Sequence, residues 1–231
     1  ITSVVGTFFV KDYLDLSAAF VAGLTFWAGL PWVLKMPVGH LVDLVWRWKA
    51  ILVLAGAALI ATSLGIMYFL IAERDAMAAI LPVHVWFVAS VILAPAGYVI
   101  QDVVADAMTV EAVPPVDAHG RPLSDDESKA QHTTMQTLGR FAIISGLVSV
   151  AAVNLTLFAG VETMSTAEKA DTYARIYLIA MAIPVISVSG VVLAAVIRRV
   201  RARRMRRMGL AEERIDALLF TAREATEPDW Q

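Results

Sequence analysis

Five runs of about twenty or more largely apolar residues, separated by short charged stretches, constrain this chain more than any other feature. They cover about Ser17–Val38, Ala50–Ala72, Leu81–Met108, Thr133–Gly160 and Tyr173–Ile197. A helix rises about 1.5 Å per residue, so each run matches a hydrocarbon core about 30 Å thick. Inside lipid every backbone amide must find a partner within the protein, which restricts spanning segments to helices or a closed barrel. The runs are too long and too poorly alternating for barrel strands. The chain also opens on an apolar stretch, Ile1–Val10, which covers half of that thickness and reads as the tail of a truncated helix. The expected architecture is therefore an all-α membrane protein with six transmembrane helices.

Composition agrees and excludes several classes of function. The chain is 58% apolar and 17% charged, against about 25% charged residues in a soluble domain. Its mean hydropathy is +0.68. There is no cysteine, hence no disulfide, thiolate metal site or cysteine nucleophile. His40, His84, His119 and His132 lie on different segments without ligand spacing. No phosphate-cradling glycine loop, nucleophile triad, paired-carboxylate hydrolase site or nucleic-acid surface is legible, so neither an enzyme nor a cofactor is expected.

Basic residues set the expected orientation. One set of connections holds Arg47 and Lys49, then Arg121 and Lys129, then seven arginines between Arg198 and Arg207. The alternate set holds only Lys11, Arg74, Lys169 and Arg175 among several acids. The positive-inside rule makes the first set cytoplasmic, placing the even-numbered loops and the C-terminal tail there. Val113–Gln131, with Pro114, Pro115, Gly120 and the Asp125–Asp126–Glu127 cluster, reads as a solvated cytoplasmic loop. Residues 1–198 thus form the transmembrane unit. Residues 199–231 form a basic tail and, after Gly209, a short amphipathic helix. The basic tail either fixes topology alone or also meets anionic headgroups. Trp46, Trp48 and Trp86 read as interface anchors, and Pro31, Pro95 and Pro184 as helix kinks.

Charges inside the spans carry the functional signal, because each costs about 2.5–3.5 kcal/mol or more at mid-bilayer. Lys35, Asp102, Asp106 and Arg140 all fall in the cytoplasmic half of their runs. Tyr98, Asp102 and Asp106 are spaced at i, i+4, i+8 and share one helix face. Gln136 and Arg140 share a face of the next helix, with Asn154 two heptads further along. Two readings stand side by side. Lys35 and Arg140 attract an anionic substrate while Asp102 or Asp106 takes the coupling proton, since desolvation favours the neutral acid; or the four charges neutralise one another and fix register. Gly39, Asp43, Arg47 and Lys49 form a helix-end charge cluster of the kind that makes and breaks bonds in an alternating gate.

That segment resembles the loop between the second and third helices of the major facilitator superfamily, whose pattern is Gly-x-x-x-Asp-x-x-Gly-Arg-Lys. Here the second glycine is absent and tryptophans interrupt the bases. Within the superfamily the chain resembles the folate–biopterin transporter family through residues 8–17, Leu30–Gly39 and Gln101–Glu111, with Gln136 and Arg140 fitting as well. The resemblance implies a six-helix N-terminal half of a transporter and a partnering second half from the same or another chain. It implies proton-coupled movement of an anionic folate- or pterin-like solute across a multi-pass membrane protein. It also implies substrate and proton roles for Lys35, Arg140, Asp102 and Asp106, the charges singled out above, with Asp102 and Asp106 handling the proton. Beside them Tyr98, Gln136 and Asn154 are expected to contact substrate, and Gly39, Asp43, Arg47, Lys49 and Glu111 to form the gate. The rival expectation is a transporter-derived scaffold or assembly factor for a membrane pigment–protein complex.

Overall fold

The computed structural model describes residues 17–111 and 123–209, with positions 113 and 121. Ile1–Val10 and the tail beyond Gly209, including its expected amphipathic helix, lie outside the described residues. Among the described residues every regular element is a helix. Helix α1 (Ala18–Val33) opens on Ser17, whose hydroxyl accepts the Phe20 amide at 3.1 Å, and it is only 16 residues long. The chain turns at Leu34 and resumes as α2 (Lys35–Leu44). A 3-10 turn, Trp46–Trp48, leads into α3 (Lys49–Ala72). A short α4 (Arg74–Ile80) precedes α5 (Val83–Glu111). Then come α6 (Asp125–Leu157), a 3-10 turn at Val161–Thr163, α7 (Thr166–Ala180) and α8 (Ala182–Arg207).

Among the described residues four helical stretches are long and apolar enough to cross a bilayer: Trp46–Ala72, Val83–Val110, Asp125–Leu157 and Thr166–Arg207. The run expected as one span, Ser17–Val38, is instead divided at Leu34. Pro37 explains the division: it has no amide for the Val33 carbonyl, and its ring crowds that oxygen. Pro184 repeats the arrangement. It follows the turn at Met181 by three residues and leaves the Ala180 carbonyl without its helical donor. Pro31 and Pro95, by contrast, lie within assigned helix.

Two other expectations change. The connection expected to remain a loop up to Gln131 is helical from Asp125, because Ser124 and Glu127 form a capping box. The Glu127 carboxylate accepts the Ser124 amide at 2.9 Å, and the acids of the first turn suit the helix dipole. Ser165 and Glu168 start α7 the same way. At the other end, residues 199–207 continue α8 without a break.

Helices α3 and α5 form the centre. Burial gains little against lipid tails, which are themselves apolar, so close packing and interhelical hydrogen bonds must hold such helices together. Both occur here. A Cβ on Gly97 would stand 2.6 Å from the Gly56 carbonyl oxygen, and one on Gly56 would stand 2.9 Å from the Gly97 oxygen. The backbones touch because neither residue has a side chain. Farther along, buried Ser63 donates to the Ser90 carbonyl at 2.8 Å, and Ser90 donates back to the Ser63 carbonyl at 3.2 Å. One core cluster joins α3, α7 and Phe87 of α5 around Ile60, Leu70, Ile176 and Tyr177. A second joins α2, the Trp46 turn and α5 around Val42, Trp46, Val99 and Val104. Trp46 is therefore a core residue, 4% exposed, and not the interface anchor its position at a span end suggested. Trp86 is likewise half-buried and donates its indole N–H to the Met77 carbonyl at 3.1 Å. Helix α6 differs from the other long helices that could span a bilayer: none of its described residues is buried.

Candidate functional site

The break at Leu34 places Lys35 in the first turn of α2, against α5. Its ammonium lies 2.6 Å from Asp102 Oδ2 and 2.9 Å from Asp106 Oδ2. The i, i+4 spacing makes this possible, because it stacks both carboxylates on one face of α5 one turn apart. One cation thus bridges two anions, leaving a single negative charge when both acids are ionised. The cluster opens at the surface of the described bundle: the Lys35 and Asp102 side chains are 37% and 38% exposed, and Asp106 66%.

An apolar groove of about 270 Å³ adjoins it. Trp27, Leu30, Leu34 and Val38 form one wall and Ile92 and Val99 part of the other. Leu34 precedes Lys35, and Val99 lies one turn before Asp102, so residues that line the groove flank the charged turn.

Not every expected site residue joins this cluster. Arg140 and Gln136 are exposed on α6, and Arg140 makes no ion pair with any described residue. The four-charge network expected from depth alone is, among the described residues, a three-charge network. The reason is lateral: equal depth does not bring helices together, and α6 touches α5 only sparsely. Asn154 is half-buried, with its side-chain oxygen enclosed and without a hydrogen-bond partner among the described residues. Tyr98 shares the aspartates' helix but is half-buried against the cluster around Tyr177.

The expected gate residues gather where α2 meets α3. A Cβ on Gly39 would make an ordinary 3.8 Å contact with Val103, so α2 lies close to α5 there. Lys49 stands over the Trp46 ring at 4.7 Å and Arg47 over the Trp48 ring at 5.4 Å. These cation–π contacts account for the tryptophans that interrupt the bases. Asp43 also has interactions within the chain. Glu111 ends α5.

One polar residue was passed over as a site candidate. Gln101 donates to the Val53 carbonyl at 3.2 Å and accepts from the Ser187 hydroxyl at 3.4 Å, linking α5 to α3 and α8 beside the charged turn. A glutamine within an apolar run next to Asp102 was the available signal, since an unpaired amide is costly in lipid. Comparison with protein-family models, curated proteins and solved structures found no match.

Proposed function

We propose that this chain is one half of a secondary transporter of the major facilitator type, moving an anionic organic solute together with protons. The observation that carries the reading is Lys35 held between Asp102 and Asp106. Lys35 with two ionised acids carries one negative charge in excess, which a single proton neutralises. Protonating one aspartate weakens its hold on Lys35 and frees the ammonium for a carboxylate of the solute. Proton and anion then enter together. The neighbouring groove suits the apolar part of such a solute, and a folate- or pterin-like molecule is the class that the resemblance implies. Arg140 as second anchor, with Gln136 and Asn154, rests on the cost of polarity inside an apolar run and on the resemblance, not on a contact with the Lys35 cluster. In this reading the connections rich in Arg and Lys face the cytoplasm, and a second six-helix half completes the path.

Uptake of labelled folate or pterin by the full-length protein in sealed vesicles tests this, with and without an inward proton gradient. The gradient should raise uptake, Lys35→Met should lower it at least about tenfold, and Asp102→Asn or Asp106→Asn should abolish the dependence on the gradient. Uptake indifferent to the gradient and normal in all three variants would refute the reading.

A second reading, a membrane scaffold, draws on α6. A spanning helix without one buried described residue, exposing Phe141, Ile144 and Leu147, has a face available for another protein. Stoichiometric recovery of one membrane partner, with no uptake by the intact protein, would favour it.

A further inference from the structure

The arginines that follow the last span remain unexplained by either reading. Seven stand between Arg198 and Arg207, and no acid occurs between Asp171 and Glu212. They continue α8 as regular helix. At about 100° per residue the seven arginines surround the helix axis, with no gap wider than about 80°. This is a collar around the helix. A helix lying flat on a membrane would instead gather its charges on one face.

Position follows from the residues just before. Val192, Leu193, Val196 and Ile197 are exposed apolar side chains at the end of the apolar part of Thr166–Arg207. Arg201 lies about 6 Å of helix rise beyond Ile197, and Arg207 about 15 Å beyond. The headgroup layer on one side of a bilayer is about 5–8 Å thick, so Arg198, Arg199 and Arg201 fall within it. The later four fall within about one to two Debye lengths of its surface.

Topology alone does not require so many. Like charges three or four residues apart, such as Arg199 with Arg203 and Arg204 with Arg207, repel along the helix. Arg199, Arg201, Arg203, Arg204 and Arg207 make no ion pair with any described residue. Counter-charge for these five comes from outside the described residues, and for Arg199 and Arg201 at headgroup depth. Phosphate groups of lipids meet that description, and guanidinium forks match them in shape.

We propose that the arginine collar of α8 is a binding site for anionic phospholipid headgroups. The inner tier of Arg198, Arg199 and Arg201 holds phosphates directly, and the outer tier raises the local concentration of anionic lipid. The proposal is independent of transport.

The test uses the full chain in bilayers of phosphatidylcholine containing a minority of phosphatidylglycerol. Lipid retained through purification is counted by mass spectrometry. Phosphatidylglycerol should be enriched over its share in the bilayer. Replacing Arg198, Arg199 and Arg201 together by glutamine should lower that enrichment about tenfold, and replacing them by lysine should lower it less. Should the glutamine variant not fold, the unaltered protein decides: raising the salt should remove most of the enrichment. No enrichment in the unaltered protein, enrichment that persists in the folded glutamine variant, or enrichment insensitive to salt would each overturn the proposal.

Discussion

Gly97 and Lys35 show how a single residue can matter through what it lacks or what it carries. The α3–α5 contact depends on two missing side chains, so Gly97→Ala forces a methyl into the Gly56 carbonyl. It should cost about 1–3 kcal/mol, seen as a lower Tm in detergent. Gly23→Ala is the control. Its Cβ would meet nothing within 4 Å, and alanine is the better helix former, so Tm should hold or rise. Equal melting of the two variants would show that the contact is unimportant. Lys35, Asp102 and Asp106 were legible from sequence because ionised groups in apolar runs are costly and rarely idle. Gly97 was not, since a glycine in a membrane helix carries no sign of which neighbour it admits. Trp46 shows the same limit: its place at a run end suggested an interface, and only packing against Val42 and Val104 reveals a core residue.

At the scale of the element, proline placement governs continuity. Pro37 and Pro184 each stand three residues after a turn, and each withholds an amide from the last residue of the helix before it. Pro37→Ala supplies that donor and should merge α1 with α2. Amides across residues 33–38 should then exchange more slowly in hydrogen-exchange mass spectrometry. Unchanged exchange would mean that something other than the proline sets the break. The same variant moves Lys35 relative to Asp102, so proton-dependent uptake should fall with it. Capping signals were present in the sequence as Ser124 with Glu127, yet the acids beside them read as a solvated loop. A polar turn can be loop or helix start, and the reciprocal cap decides between them.

For the whole molecule, the absence of cysteine provides a clean background for mapping sidedness. A cysteine placed at Ser128 should react with an impermeant thiol reagent only from the cytoplasmic side, and one at Thr163 only from the opposite side. The reverse pattern, or labelling of both from one side, would overturn the orientation drawn from the basic residues. Helix α6 carries Ser128 near its start, ends before Thr163 and packs sparsely, so a partner on its exposed face would shield Phe141 and Ile144.

Run length and polarity alone determined that this chain is helical and suited to a membrane, because lipid offers the backbone no partners and 1.5 Å per residue sets the span. Charge inside the apolar runs by itself singled out Lys35, Asp102, Asp106 and Arg140. Only the tertiary structure decided that the first three meet while Arg140 stands apart. Sequence spacing reports depth along a helix and direction around it. Which helices lie side by side depends on packing between distant segments, here the glycine contact of α3 with α5 and the sparse contact of α6.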